Sequence, residues 1–365
     1  MMSKPNELSI PDRSSIVLWL LSGCFLIFLM VVVGGITRLT GSGLSITKWE
    51  VVTGTVPPIS EADWQHEFDL YKQTPQYEQL NAHFELSDFK GIYWWEYIHR
   101  LLGRLIGLVF VIPFAWFVVR RKIQGALLWK CMLLFLLGGI QGFIGWYMVS
   151  SGLVDEPSVS HFRLALHLCT AFITFCFTLW FAMGLVNTEK AQLTDWHLKL
   201  KRYTKVILAV TFVQIVFGAF VAGLKAGLIY NTWPLMGDRW VPDSFYYAWE
   251  TMGWHALIDN MSGVQLIHRN LAYVVFFGVL FLLCYAWYNQ RKGKQALLAG
   301  QMHALWACAI LVTLQFVLGV FTLLHAVPLT LGVIHQAGAL LLLGSLVYLL
   351  HRLSHLSIPE VESRQ

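Results

Sequence analysis

The chain is short of charge. Asp, Glu, Lys and Arg make up 13% of its 365 residues, against 56% hydrophobic, where a soluble domain carries about a quarter charged residues. So few charges cannot cover a water-facing surface, which excludes a soluble globular enzyme, and the wealth of apolar side chains excludes disorder. Cysteine is scarce as well. Cys24, Cys131, Cys169, Cys176, Cys284 and Cys308 all fall within apolar runs, so a disulfide-built secreted module is excluded and buried structural thiols are expected. No cleavable leader is expected either. Glu7 and Asp12 stand among the few N-terminal charges, unlike a transit peptide, and the apolar run that follows is longer than a signal-peptide core and carries no small-residue cleavage site.

Long apolar runs and aromatic rings are abundant. About 20 apolar residues cross a bilayer as a helix, and eight such runs are predicted, at 16–37, 97–119, 127–149, 161–186, 204–224, 264–288, 300–324 and 329–351. The 16 Trp, 13 Tyr and 24 Phe suit a chain with many membrane–water boundaries. The fold class expected is an all-α membrane protein. Its orientation follows from basic residues, which stay on the cytoplasmic side. The N-terminal tail, the connections near 120–130, 187–205 and 289–299, and the C-terminal tail hold 16 of the 26 Lys and Arg; the other side holds 15 of the 21 acidic residues. Both termini are therefore expected in the cytoplasm of a bacterial cell, with the chain in the inner membrane. The net charge of +5 reports this topology and gives no support to nucleic-acid binding. Two outward connections, about 38–95 and 225–263, are long and rich in Trp, Tyr, Pro and acidic residues, and long ordered connections are usually functional.

The two halves resemble each other. Trp95-Glu96-Tyr97-Ile98-His99-Arg100 opens the second run and Val264-Gln265-Leu266-Ile267-His268-Arg269 the sixth; Gln141 and Gly145 match Gln315 and Gly319; Leu164-Ala165-Leu166-His167 matches Gly332-Val333-Ile334-His335. His99 to His167 is 68 residues and His268 to His335 is 67. Four helices per half preserve orientation, so the expectation is two parallel-repeated four-helix bundles. Residues 1–187 form the N-terminal half, 188–203 a cytoplasmic connection, 204–352 the C-terminal half and 353–365 a cytoplasmic tail.

An ionisable side chain within a membrane span is a functional hypothesis by default. A lone histidine there is more often an interhelical hydrogen-bonder, but four at one depth, two per half, match axial ligation of a haem held between helices. The residue one turn further in is always small: Gly103, Ala171, Ala272 and Ala339. A flat macrocycle needs that, and so does close helix packing. Arg100, Arg104 and Arg269 are candidates for pairing with haem propionates, or for snorkelling to water. His66, His83, His161, His197, His255, His303, His325, His351 and His355 are expected in solvated or boundary roles. The halves differ at one chemically telling place. Glu96 precedes His99 by three residues, on the same helix face, where the other half has Gln265. A carboxylate there is a candidate general base or electrostatic stabiliser, or a helix N-terminal anion favoured by the dipole.

The stretches Gly34-Gly35-Ile36-Thr37-Arg38-Leu39-Thr40-Gly41-Ser42-Gly43-Leu44, Pro57-Pro58, Trp64, Phe89-Lys90, Trp94 to Arg104, Arg163 to His167, Asn231-Thr232-Trp233-Pro234 and His335-Gln336-Ala337-Gly338 closely resemble the haem A synthase family, over essentially the whole chain. The resemblance is to the loop-cysteine-free branch shared by proteobacteria and mitochondria. It implies oxidation of the C8 methyl of haem O to a formyl group by successive hydroxylations, with water as oxygen source, for cytochrome oxidase biogenesis. It also implies that His268 and His335 ligate the iron of a cofactor haem b, that His99 and His167 ligate the substrate haem on the periplasmic side, and that Glu96 is required for turnover. Expected partners are haem O, membrane lipid, an electron acceptor, haem O synthase and a second copy of the chain as a homo-oligomer. Two rival readings remain: a di-haem, quinol-linked cytochrome b, which leaves the Glu96/Gln265 difference idle, and a transporter built on parallel repeats.

Overall fold

The computed structural model describes residues 10–48, 53–152, 157–186, 191–192, 194–294, 296–354 and 356–357. Among them, eight helices are long and apolar enough to cross a membrane: α1 (Ile10–Leu39), α3 (Leu86–Val119), α4 (Gly125–Gly152), α5 (His161–Gly184), α6 (Asp195–Gly223), α8 (Met261–Arg291), α9 (Ala299–Leu324) and α10 (Leu329–Arg352). The protein is an all-α, multi-pass membrane protein. Its extended pairing, among the described residues, is a two-residue parallel contact of Ala191–Gln192 with Leu356–Ser357 and a bridge between Met236 and Arg239. Two shorter helices, α2 (Glu61–Tyr71) and α7 (Asp243–Met252), lie in the two long connections.

Several helices outrun the apolar runs that reveal them. α3 begins at Leu86, eleven residues before the run at 97, and its 34 residues span about 51 Å at 1.5 Å per residue, well beyond a hydrocarbon core of about 30 Å. The excess is the polar-capped start: Glu85 and Asp88 form a reciprocal capping box there. α6 likewise begins at Asp195, inside the stretch assigned to the connection 188–203. Hydropathy registers only the lipid-immersed part of a helix, so polar first turns escape it.

The helices pack as two rings joined along one face. α1 touches α3, α5 and α10; α6 touches α8, α10 and α5; α4 packs on α3 and α5, and α9 on α8 and α10. Within each ring the histidine-bearing helices, α3 with α5 and α8 with α10, are not packing neighbours. They stand across the ring from each other. The rings meet through Cys24, Val31, Phe172, Phe175, Ile215, Leu340 and Leu343. Lipid tails are as apolar as these side chains, so close fit rather than water exclusion holds the helices together. Gly344 accordingly admits the Phe175 ring, which an added Cβ would meet at 3.0 Å.

Outside the spans the hydrophobic effect operates normally. α2 closes on the outward extension of α3 through Trp64, Phe68, Tyr71, Phe89, Ile92, Tyr93 and Tyr97, each worth roughly 1.5–3 kcal/mol when fully buried. The Tyr71 hydroxyl accepts from Asn81 and donates to Gln76 at 3.1 Å, and the Gln76 amide donates to the Gly41 carbonyl at 2.9 Å. Burial raises the Tyr71 phenol above its ordinary pKa, which keeps it protonated as the donor in that chain. Tyr97 adds a bond to the Thr55 carbonyl at 2.7 Å. The described part of the first connection is thus a roof tied down over the start of α3.

Two thiols and three histidines depart from expectation. Cys284 is exposed on an outward face of α8, where lipid replaces protein, and Cys176 is half-buried at the edge of the cluster that joins the rings. His161, His197 and His351 are buried rather than solvated, His351 lying edge-on to Trp180.

Candidate functional site

All four span histidines meet a glycine on the adjacent helix. A Cβ added to Gly34 of α1 would lie 3.0 Å from His99 Cε1; Gly145 of α4 stands at 3.1 Å from His167, Gly218 of α6 at 3.1 Å from His268, and Gly319 of α9 at 2.8 Å from His335. Real side chains rarely come so close, so each imidazole occupies space that any other residue would fill. His99 stands on α3 and His167 on α5, and His268 on α8 and His335 on α10. These are the pairs that face each other across the rings. Each ring is only half-buried although it lies within the bundle, the condition of a side chain facing an interior space.

The hydrogen bonds at the four rings follow one plan with one omission. Gln141 Nε2 lies 3.1 Å from His167 Nδ1 and donates to the His167 carbonyl at 3.0 Å. Gln315 Nε2 lies 3.2 Å from His335 Nδ1 and donates to the His335 carbonyl at 2.9 Å. On the opposite side, His268 Nδ1 donates to the Gln214 carbonyl at 3.2 Å, which leaves Nε2 as the unprotonated, metal-binding nitrogen. His99 Nδ1 is buried with no hydrogen-bond partner. The small residues one turn further in are not uniform: Gly103 is exposed, whereas Ala339 packs into the cluster between the rings, so there the small side chain serves helix contact.

Glu96 and Arg100 form a buried pair that holds the roof down. Glu96 Oε2 accepts from the Ser45 amide and hydroxyl, both at 2.7 Å, and from the Ile46 amide at 2.9 Å. Its Oε1 accepts from Arg100 at 2.6 and 3.0 Å. A carboxylate offers about four lone-pair sites, and these bonds fill them. Arg100 also donates to the carbonyls of Ile46 at 2.9 Å and Lys48 at 2.8 Å. The C-terminal half does the same work differently. Gln265 donates to the Tyr230 carbonyl at 3.2 Å, and Arg269 donates to the carbonyls of Thr232, Pro234 and Leu235 at 2.9–3.0 Å. Among the described residues Arg269 Nη1 is buried without a partner, and no carboxylate there forms an ion pair with this guanidinium. Arg104 lies one turn below Arg100 on α3.

The anchored segments themselves correspond. Gly41 and Lys225 are both left-handed, at φ 69° and 55°, and each opens a short 3-10 turn, Ser42–Leu44 or Ala226–Leu228. In sequence, Gly43-Leu44 and Trp49 recur 184 residues later as Gly227-Leu228 and Trp233, as does Gly34 as Gly218. That signal lay in the sequence but at a different shift from the histidines, because the connections differ in length.

The model of the cytochrome oxidase assembly protein family (COX15-CtaA) matches residues 17–347. This chain belongs to that family. Relatives named heme A synthase align over nearly all of both chains: one from Flavobacterium psychrophilum at 50% identity, covering 94% of this chain and 99% of the relative; one from Flavobacterium johnsoniae at 49%, with the same coverage; and one from Parvibaculum lavamentivorans at 46%, covering 94% and 95%. The sequence-level resemblance to haem A synthases therefore holds over the full chain.

Proposed function

We propose that this protein is a haem A synthase of a bacterial inner membrane, oxidising the C8 methyl of haem O to a formyl group for cytochrome oxidase assembly. Four histidines, each seated against a glycine and paired across a ring, carry the reading. Two rings making corresponding contacts support a duplicated four-helix unit, and the excess of Lys and Arg in the tails and alternate connections supports both termini in the cytoplasm and the site toward the periplasm.

His268 and His335 would hold the cofactor haem b. The residues fit such a group: His268 is oriented by a carbonyl so that Nε2 faces inward, Gly218 and Gly319 leave room, and the orphaned Arg269 Nη1 matches a propionate. When bound, haem b supplies one-electron redox chemistry beside the substrate site. His99 and His167 bind the iron of haem O and fix the plane of its ring, with Gly34 and Gly145 providing the clearance. The overall change, CH3 + H2O → CHO + 4 H+ + 4 e−, draws its oxygen from water and passes its electrons to an acceptor outside the protein. Glu96 acts as a positioning residue: its bonds are already taken by Ser45, Ile46 and Arg100, so it fixes residues 45–48 over the site instead of accepting a substrate proton. Arg100 is its partner in that task, which leaves Arg104 as the propionate candidate of the N-terminal half.

The test is to supply cells with haem O, with and without this protein, and chromatograph the extracted haems. Haem A is expected only when the protein is present and His99 is intact. Absence of haem A with both haems bound would favour the electron-transfer cytochrome.

A further inference from the structure

Matched to the histidines, the two rings differ most at one seam. Along α3 and α8, Gly107 corresponds to Phe276; along α4 and α9, Gly138 corresponds to Val312 and Gly142 to Phe316. In the C-terminal half these residues shut the seam. The Phe276 and Phe316 rings lie 4.9 Å apart, Tyr273 stands 5.3 Å from Phe316, and Val312 is buried. In the N-terminal half an added Cβ at Gly107, Gly138 or Gly142 would meet nothing within 4 Å. The α3–α4 contact is also the sparsest around its ring. Along the α3–α4 seam, then, glycines leave open the space that Phe276, Val312 and Phe316 fill between α8 and α9.

We infer that the glycine-lined seam between α3 and α4 is a lateral passage that takes the isoprenoid tail of the substrate haem, and that Phe276 and Phe316 deny such a tail to the other half. The inference rests on the proposed function and extends it to substrate selection. Haem O and haem b share iron, ring and propionates, so imidazole pairs and arginines cannot separate them. They differ in that haem O carries a long apolar chain where haem b has a vinyl group. A closed four-helix ring has no interior volume for that chain, whereas a seam open to lipid receives it at no cost in burial, since tail and bilayer are equally apolar. The same opening gives the substrate a way in and the product a way out while the cofactor stays enclosed. Gly107 and Gly142 are thus specificity-determining residues, and they act through the space they leave.

The experiment uses the full-length protein purified with its resident haem, titrated separately with haem O and with protohaem, which lacks the tail. Binding is followed by the Soret band and by extraction. In Gly107→Phe/Gly142→Phe, haem O affinity is expected to fall at least tenfold while protohaem affinity at the same site stays within about twofold and resident haem b content is unchanged. Unaltered haem O binding, or equal loss of both haems, would overturn the inference. Should the double variant fail to accumulate, the reciprocal Phe276→Gly/Phe316→Gly protein gives the second test: it is expected to take up haem O in the C-terminal half, and its continued exclusion there would count against the seam. A His99→Ala control separates the levels. If haem O binding to the parent does not depend on His99, the assignment of the substrate site fails, whatever the seam does.

Discussion

The two halves use one scaffold and part company in three places. In the C-terminal half, His268 is hydrogen-bonded to a carbonyl, Arg269 has an unused donor, and the α8–α9 seam is packed with rings. In the N-terminal half, His99 Nδ1 has no partner, Arg100 is bound to Glu96, and the matching seam is lined by glycines. One half has the features that retain a group; the other has those that let a group come and go. On the proposed function, a difference between the duplicated sites is therefore written less in the histidines, which are the same, than in what surrounds them.

The largest effect expected from breaking this comparison comes at Glu96. Glu96→Gln copies the C-terminal residue but removes one partner of a buried ion pair, a change that costs about 3–5 kcal/mol. Haem A formation is expected to drop more than tenfold with haem b content retained, and haem analysis of the purified variant checks both. Arg269→Ala is expected next. Loss of a charge-assisted bond, worth about 1.5–3 kcal/mol, should weaken haem b retention by roughly tenfold or more without touching haem O binding, as measured by competition with apomyoglobin. Gly319→Ala places a methyl group against His335, and such overpacking costs about 1–3 kcal/mol. It is expected to lower haem b occupancy, whereas Gly145→Ala should lower haem O binding and leave haem b alone. The smallest effect is Tyr97→Phe. It removes one bond to Thr55, about 1 kcal/mol, and should lower thermal stability slightly with haem A formation preserved.

Much of this arrangement was legible in the chain itself. The apolar runs revealed the eight spans seen among the described residues, since lipid demands an unbroken stretch of them, and the expectation that His99 pairs with His167 and His268 with His335 came from shared depth and spacing. The roof did not. Nothing in the order of residues tells that Ser45 and Ile46 return to Glu96, or that Arg269 gathers the carbonyls of Thr232 to Leu235, because backbone acceptors carry no side-chain signature. The glycines facing the imidazoles were visible only as conserved spacing between halves, and Gly34 with Gly218 escaped because unequal connections change the shift from 169 to 184 residues. Buried His351 was misjudged for a related reason: position near a helix end says nothing about which face meets a neighbour.

The central claim is that each half clamps one haem between its own histidine pair, a resident one in the C-terminal half and a passing one in the N-terminal half. Chromatography of the haems extracted from purified parent, His99→Ala and His335→Ala proteins tests it directly. The account expects haem b to survive in His99→Ala while haems O and A disappear, and haem b to vanish in His335→Ala. Loss of haem b from His99→Ala, or its retention in His335→Ala, would contradict it.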